Sequence, residues 1–151
     1  ATFGLPRHVS VERAAVLGAT SDDVLARAAS NQGYQAFSPY TTRDPDLKIG
    51  FFGPASGVGS GFRFEGTDGT DRQTVAAVSA DTVVYANHLG PIGRPTQSII
   101  ATATDAGTKV TWRIDSDMGF NPVLRVFGLF MGAMMGPTLE LGLENLAAAA
   151  A

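Results

Sequence analysis

A chain of 151 residues with 11 basic and 14 acidic side chains, net charge −3, fits one domain with its own core and lacks the basic footprint of a nucleic-acid binder. The absence of cysteine removes disulfides, thiolate nucleophiles and thiolate zinc sites. Only two histidines occur, His8 and His88, with no H-x-x-x-H pair, so neither a metal site nor a cofactor is implied.

The segment "HVSVERAAVL", residues 8 to 17, places Val9, Val11, Ala15 and Leu17 at period two and predicts a strand. In "ATSDDVLARAAS", Thr20 or Ser21 caps a short helix, with Asp22 and Asp23 in its first turn, ending near Ser30. "NQGYQAFSPY" reads as a second, broken helix that runs into a loop at Pro39. From Leu47 to Asp115 the pattern is β. "LKIGFF" alternates Leu47, Ile49 and Phe51, and "GFRFEG" alternates Phe62 and Phe64 against Arg63 and Glu65. "RQTVAAVS", "TVVYANHL", "TQSIIATAT" and "GTKVTWRID" follow across short links, so six consecutive strands form an antiparallel meander. The Gly-rich "GPASGVGSG" lacks the Lys-Ser/Thr ending of a phosphate loop and opens no helix. It reads as a flexible connection that gates a cavity mouth.

A helical pattern begins at Asn121, with Pro122 suited to a first turn, and runs to about Leu146. Its unbroken apolar stretch, Val126 to Pro137, is 12 residues long between Arg125 and Glu140. A membrane span needs about 20. The helix is therefore expected to be buried against the sheet, with Pro137 kinking or breaking it near residues 133 to 136. Gly128, Gly132 and Gly136 recur every fourth residue; they either let the sheet approach closely or leave room for a ligand. The run Ala147 to Ala151 carries no weight in this reading.

The order of one strand, two short helices, a six-strand meander and a long terminal helix resembles the START/SRPBCC superfamily. The wording resembles its polyketide cyclase/dehydrase-like bacterial branch. "VSVERAAVLGATSDDVLARA", "FSPYTTRDPDLKIGFFGPASGVGSGFRFEG", "GTKVTW" and "MMGPTLELGLENL" carry the likeness over most of the chain. Members of that branch usually read W-S-P-W where this chain has Phe37-Ser38-Pro39-Tyr40. The resemblance implies a single domain over residues 1–151 of α+β helix-grip class: a curved antiparallel sheet of six to seven strands wrapped around the C-terminal helix, with two short helices after the first strand. It also implies a hydrophobic cavity between sheet and helix. "FGLPRHVSVER" resembles the juncture in members whose apolar N-terminal helix precedes the first strand. This gives two expectations for location, a membrane anchor upstream of Ala1 or a cytoplasmic protein.

Candidate ligand-lining residues are Phe62, Phe64, Tyr85, Trp112, Phe127, Phe130, Met131, Met134 and Met135. Each also suits plain core packing, while flexible thioethers suit an adaptable binding surface. Arg63 with Glu65, and Arg113 with Asp115, are expected on the solvent face unless a bulge reverses their parity. His88 stands alone, without an evident orienting partner for catalysis. The leading expectation is non-catalytic binding of a small hydrophobic ligand such as a lipid, fatty acid or polyketide-like molecule. A cyclase or dehydratase would need His88, Tyr85 or an arginine facing the cavity. A chaperone-activator-like interaction module would need an exposed apolar patch instead.

Overall fold

The structure is a computed structural model, and it describes residues 8–38, 46–66, 69–88, 95–117 and 131–150. The chain order is β1 (His8–Leu17), α1 (Ser21–Ala28), α2 (Asn31–Gln35), β2 (Lys48–Phe52), β3 (Gly61–Gly66), β4 (Gly69–Val78), β5 (Thr82–His88), β6 (Thr96–Thr104), β7 (Gly107–Asp117) and α3 (Met131–Ala150). The strands form one seven-stranded sheet, ordered β1-β7-β6-β5-β4-β3-β2, with every pairing antiparallel. One sheet with helices on one face is the expected helix-grip α+β architecture.

Local chemistry explains the short helices. The Thr20 side chain accepts from the Asp23 backbone N–H at 3.1 Å, satisfying an orphan donor of α1. The Ser30 side chain does the same for Gly33 at 3.1 Å and starts α2. That second cap ends α1 at Ala28, two residues before the expected stop. Gly33 is demanded by crowding, because a Cβ there would stand 2.8 Å from the Arg27 carbonyl oxygen.

Period-two alternation puts Val11, Leu17, Val83, Tyr85, Ile99, Ala101, Val110, Trp112 and Ile114 on the inner face, where α1, α2 and α3 cover them. In β2 the alternation of sides holds, with Ile49 opposite Phe64 and Phe51 opposite Phe62, but burial does not follow it. Phe51 is 47% exposed on this edge strand. Its neighbour Phe52 instead lies over Gly61, where a Cβ would meet the ring at 2.6 Å. A bulge between Val75 and Ala77 shifts the register of β4 against β5; it leaves Arg63 and Arg113 exposed on the outer face.

The long helix runs through Pro137 rather than breaking there. Thr138, Leu139, Leu143 and Leu146 are buried, while Pro137, Glu140 and Glu144 face outward. With its ring on the solvent side, Pro137 removes one backbone hydrogen bond without opening the buried stripe. The expected first half of this helix, residues 122–130, including Phe127, Gly128 and Phe130, lies outside the described residues. Among the described residues, no helix is long and apolar enough to cross a membrane.

The meander gives the sheet two distinct ends. The tail of β1, the hairpins β4–β5 and β6–β7, and the link from β2 to β3 lie at the end capped by α1 and α2. That link is "GPASGVGSG". It was expected to act as a gate, yet it is tied down. Its Gly57 N–H donates to the Ala29 carbonyl at 2.9 Å and its Gly59 N–H to the Val75 carbonyl at 2.9 Å. The Ser60 hydroxyl accepts from the Asn31 N–H at 3.0 Å, and the Asn31 side-chain amide donates to the Phe52 and Gly61 carbonyls. The glycines serve left-handed backbone turns here: Gly53, Gly57 and Gly59 have φ of 71, 88 and 92°.

Candidate functional site: the inner face under the helices

Tyr34 of α2 sits at the centre of the inner face. Its ring lies 4.9 Å from Phe37, 5.4 Å from Phe62, 5.4 Å from Tyr85 and 6.1 Å from Trp112, and Phe37 meets Trp112 edge-on at 5.7 Å. Offset and edge-to-face pairs at these separations are favourable beyond their burial. Three expected lining residues, Phe62, Tyr85 and Trp112, therefore form a packed aromatic cluster with two rings that the sequence reading had not included. The gap left beside Tyr34, Phe62 and Tyr85 is about 10 Å³, room for at most one water. Phe64 is partly buried and adjoins Phe62 at 5.9 Å. Met131, Met134 and Met135 belong to the first turns of α3; their side chains, like all of Phe127 and Phe130, lie outside the described residues.

The Tyr85 hydroxyl donates to the Ala28 carbonyl, tethering β5 to the end of α1. Burial pushes this phenol well above its ordinary value, so it remains protonated at neutral pH and is no base.

Beside the aromatic cluster, toward the sheet end away from α1 and α2, runs a buried amide ladder. Gln73, Asn87 and Gln97 are 2%, 5% and 2% exposed on neighbouring strands. Trp112 fixes its polarity, because an indole N–H can only donate. It donates to Gln97 Oε1 at 3.0 Å. That leaves Gln97 Nε2 as a donor, to Asn87 Oδ1 at 3.0 Å and Gln73 Oε1 at 3.2 Å. Asn87 Nδ2 then donates to Gln73 Oε1 at 2.8 Å. The remaining donor, Gln73 Nε2, finds no partner among the described residues; nor does Asn31 Oδ1, which lines the same 10 Å³ gap. A donor and an acceptor facing one water-sized space fit a single bridging water. The sequence signal for the ladder was polar residues at the inward positions of otherwise apolar strands: Gln73 before Val75, Asn87 after Tyr85, Gln97 before Ile99.

Two glycines of α3, Gly136 and Gly142, are filled from the sheet. Arg13 of β1 places its guanidinium where a Gly136 side chain would sit, with Cζ 2.8 Å from such a Cβ. It also pairs with Glu140 at 3.1 Å. The Trp112 ring occupies the corresponding space at Gly142, with Cη2 2.8 Å from a Cβ. At these two positions glycine provides close approach and not a void. On the outer face Arg113 pairs with Asp115 at 2.9 Å, as expected for a solvent-side charge pair. The His88 side chain lies outside the described residues, though its backbone pairs with Arg72. Among the described residues, no group of three or more metal-ligating side chains is assembled.

An antiparallel sheet gripping a terminal helix, with its apolar inner face turned toward that helix, defines the helix-grip class. The profile of the family described as polyketide cyclase/dehydrase and lipid transport matches residues 8–151, and the chain belongs to that family. Similar solved structures include the di-domain ARO/CYC StfQ of the steffimycin biosynthetic pathway (15% identity, 95% of this chain, TM-score 0.67). The chain spans half, 50%, of that protein's length. The major latex-like protein 151 of Panax ginseng is similar over 98% of this chain and 99% of its own, at 14% identity and TM-score 0.63. The Aha1 dimer of Colwellia psychrerythraea matches 87% of this chain and 91% of its own, at 14% identity and TM-score 0.60. At these identities the likeness is one of fold. A comparison with curated protein sequences gives no match.

Proposed function

We propose that this domain binds and carries a small apolar molecule of lipid, fatty-acid or polyketide-like class, held between the inner face of the sheet and the C-terminal helix. Membership of a family that joins polyketide chemistry with lipid transport carries the reading. The polar inventory of the inner face favours carriage over chemistry. Arg13 is engaged with Glu140, the Tyr85 hydroxyl is engaged with Ala28, and the ladder amides neither give up nor take a proton near neutrality. The aromatic cluster fills the α1–α2 end, so the ligand's place is toward the ladder and the first turns of α3. Burying about 300 Å² of ligand apolar surface there contributes roughly 7 kcal/mol before association costs.

The test is native mass spectrometry of the purified protein with organic extraction of what travels with it, followed by titration with an environment-sensitive apolar dye. The expected result is a bound apolar species and saturable dye uptake at one site per chain, reversed by fatty acid. Absence of both would overturn the proposal. Turnover of a polyketide-like substrate by the pure protein would replace carriage with the cyclase reading.

A further inference from the structure

The outer face of the sheet carries a feature that an inner-face ligand does not use. Arg63 of β3 and Arg72 of β4 occupy directly opposed register positions. Opposed residues hold their Cβ atoms about 5 Å apart, and like charges there repel. Neither arginine forms an ion pair or side-chain hydrogen bond among the described residues, whose pairs are Arg13–Glu140, Arg27–Asp23 and Arg113–Asp115. Glu65, the next outward residue on β3, stands opposite Lys48 rather than opposite either arginine. Arg63 is also held in place. Its guanidinium lies over the Phe52 ring at 5.7 Å, and that ring is seated on Gly61. Phe52, Arg63, Arg72, Thr74, Ala86 and Thr96 line a hollow of about 330 Å³.

We infer that this hollow is a binding site for a phosphoryl group, a phosphate monoester or free phosphate, clamped between Arg63 and Arg72. Two adjacent cations with no carboxylate paired to them among the described residues, one of them oriented by a ring, match a dianion with three acceptor oxygens better than a single carboxylate. Threonine hydroxyls at 74 and 96 add donors at the rim. The ligand removes the repulsion that the empty pair maintains, so binding and relief of strain act together. The site is on the face opposite the proposed apolar pocket and does not depend on it.

Inorganic phosphate is titrated at fixed ionic strength and followed by amide shifts of Arg63, Arg72 and Thr74. In parallel, flotation is measured with phosphatidylcholine vesicles with and without phosphatidic acid, whose head group is a phosphate monoester. The expected result is saturable shifts, weakened about tenfold or more by Arg72→Gln or Arg63→Gln. Lys109→Gln, which removes the same charge from the exposed side of β7, should leave them unchanged. Flotation that needs phosphatidic acid and is lost in Arg72→Gln assigns the phosphoryl group to a lipid head group; shifts without flotation assign it to a soluble phosphate. A negative result in both arms, equal weakening by Lys109→Gln, or equal binding of acetate would overturn the site. Dye uptake at the inner face reads the carrier proposal separately, since Arg72→Gln should not alter it.

Discussion

Gly142→Ala is expected to destabilise the protein although it replaces a helical glycine by the best helix former. In isolation the change favours the helix by about 1 kcal/mol. Here the added methyl stands 2.8 Å from Trp112 Cη2, with Cζ3 closer still. The ring has nowhere to go: its Nε1 is bonded to Gln97, Phe37 packs against its face, and it is fully buried. Overpacking of that kind costs about 1–3 kcal/mol, so the net loss is between zero and about 2 kcal/mol. Gly136→Ala is the internal control. It meets the far end of Arg13, whose side chain is 38% exposed and free to swing outward. The displaced Arg13–Glu140 pair is half in water and worth about 0–1 kcal/mol, which the helix gain offsets. The assay is equilibrium denaturation with a common slope. Gly142→Ala should fall below wild type and Gly136→Ala should match or exceed it. Adding Trp112→Phe to Gly142→Ala should show favourable coupling. A Gly142→Ala protein more stable than wild type would refute the close-approach account of these glycines.

Gln97→Leu removes the acceptor of the Trp112 N–H and a donor to Asn87 and Gln73; the expected cost is about 2–4 kcal/mol, measured by denaturation alongside a changed near-ultraviolet signal from the indole. Because burial raises the Tyr85 pKa above 10.0, its contribution is full below that value and is lost as pH rises further: the unfolded phenol ionises first, and stability falls by up to about 1.4 kcal/mol per pH unit. Tyr85→Phe should be less stable at neutral pH through loss of the bond to Ala28, and its alkaline slope should be shallower than wild type; identical slopes would remove the linkage. Gly53→Ala places a side chain at φ 71° and drives its Cβ against the Gly59 carbonyl, so thermal unfolding should show a loss of about 2 kcal/mol or more.

The fold was legible because its signals are periodic. Alternation in "KVTWRID" and "SIIATA", a capping residue before α1, and glycine turns between strands all point one way, and the family wording agreed. Phe51 keeps the register position that the alternation gave it, opposite Phe62, but it is not buried there. Strict period two assumes two differently solvated faces, whereas edge strand β2 exposes Phe51 and folds Phe52 onto Gly61. The glycines of the last helix were legible as facing the sheet at Gly136, but not what fills them. A guanidinium and an indole arrive from strands more than twenty residues away in sequence, and no local pattern encodes that meeting. Arg13 was hidden by its company, since a charge at an inward position of β1 reads as solvent-facing until a helix glycine opposite it is known. The ring pair of Tyr34 with Phe37 was missed for a related reason: a five-residue helix gives too short a window to show which side is buried.

The pairing of β1 with β7 joins the start of the described chain to its far side, His8 to Asp117 and Leu17 to Thr108. Every other strand pairs with its sequence neighbour. The meander from β2 to β7 therefore assembles from short-range contacts, while β1 must close a loop of about ninety residues, which is slow and entropically costly. Arg13 on that same strand is what α3 rests against through Gly136 and Glu140. Substitutions that weaken β1 pairing should accordingly retard refolding as well as accelerate unfolding. The helix cannot finish docking before β1 arrives, so the inner face beneath α3 is the last part of the molecule to be covered. Under the proposed carrier function, a nascent chain that met an apolar ligand early would close around it instead of admitting it afterwards.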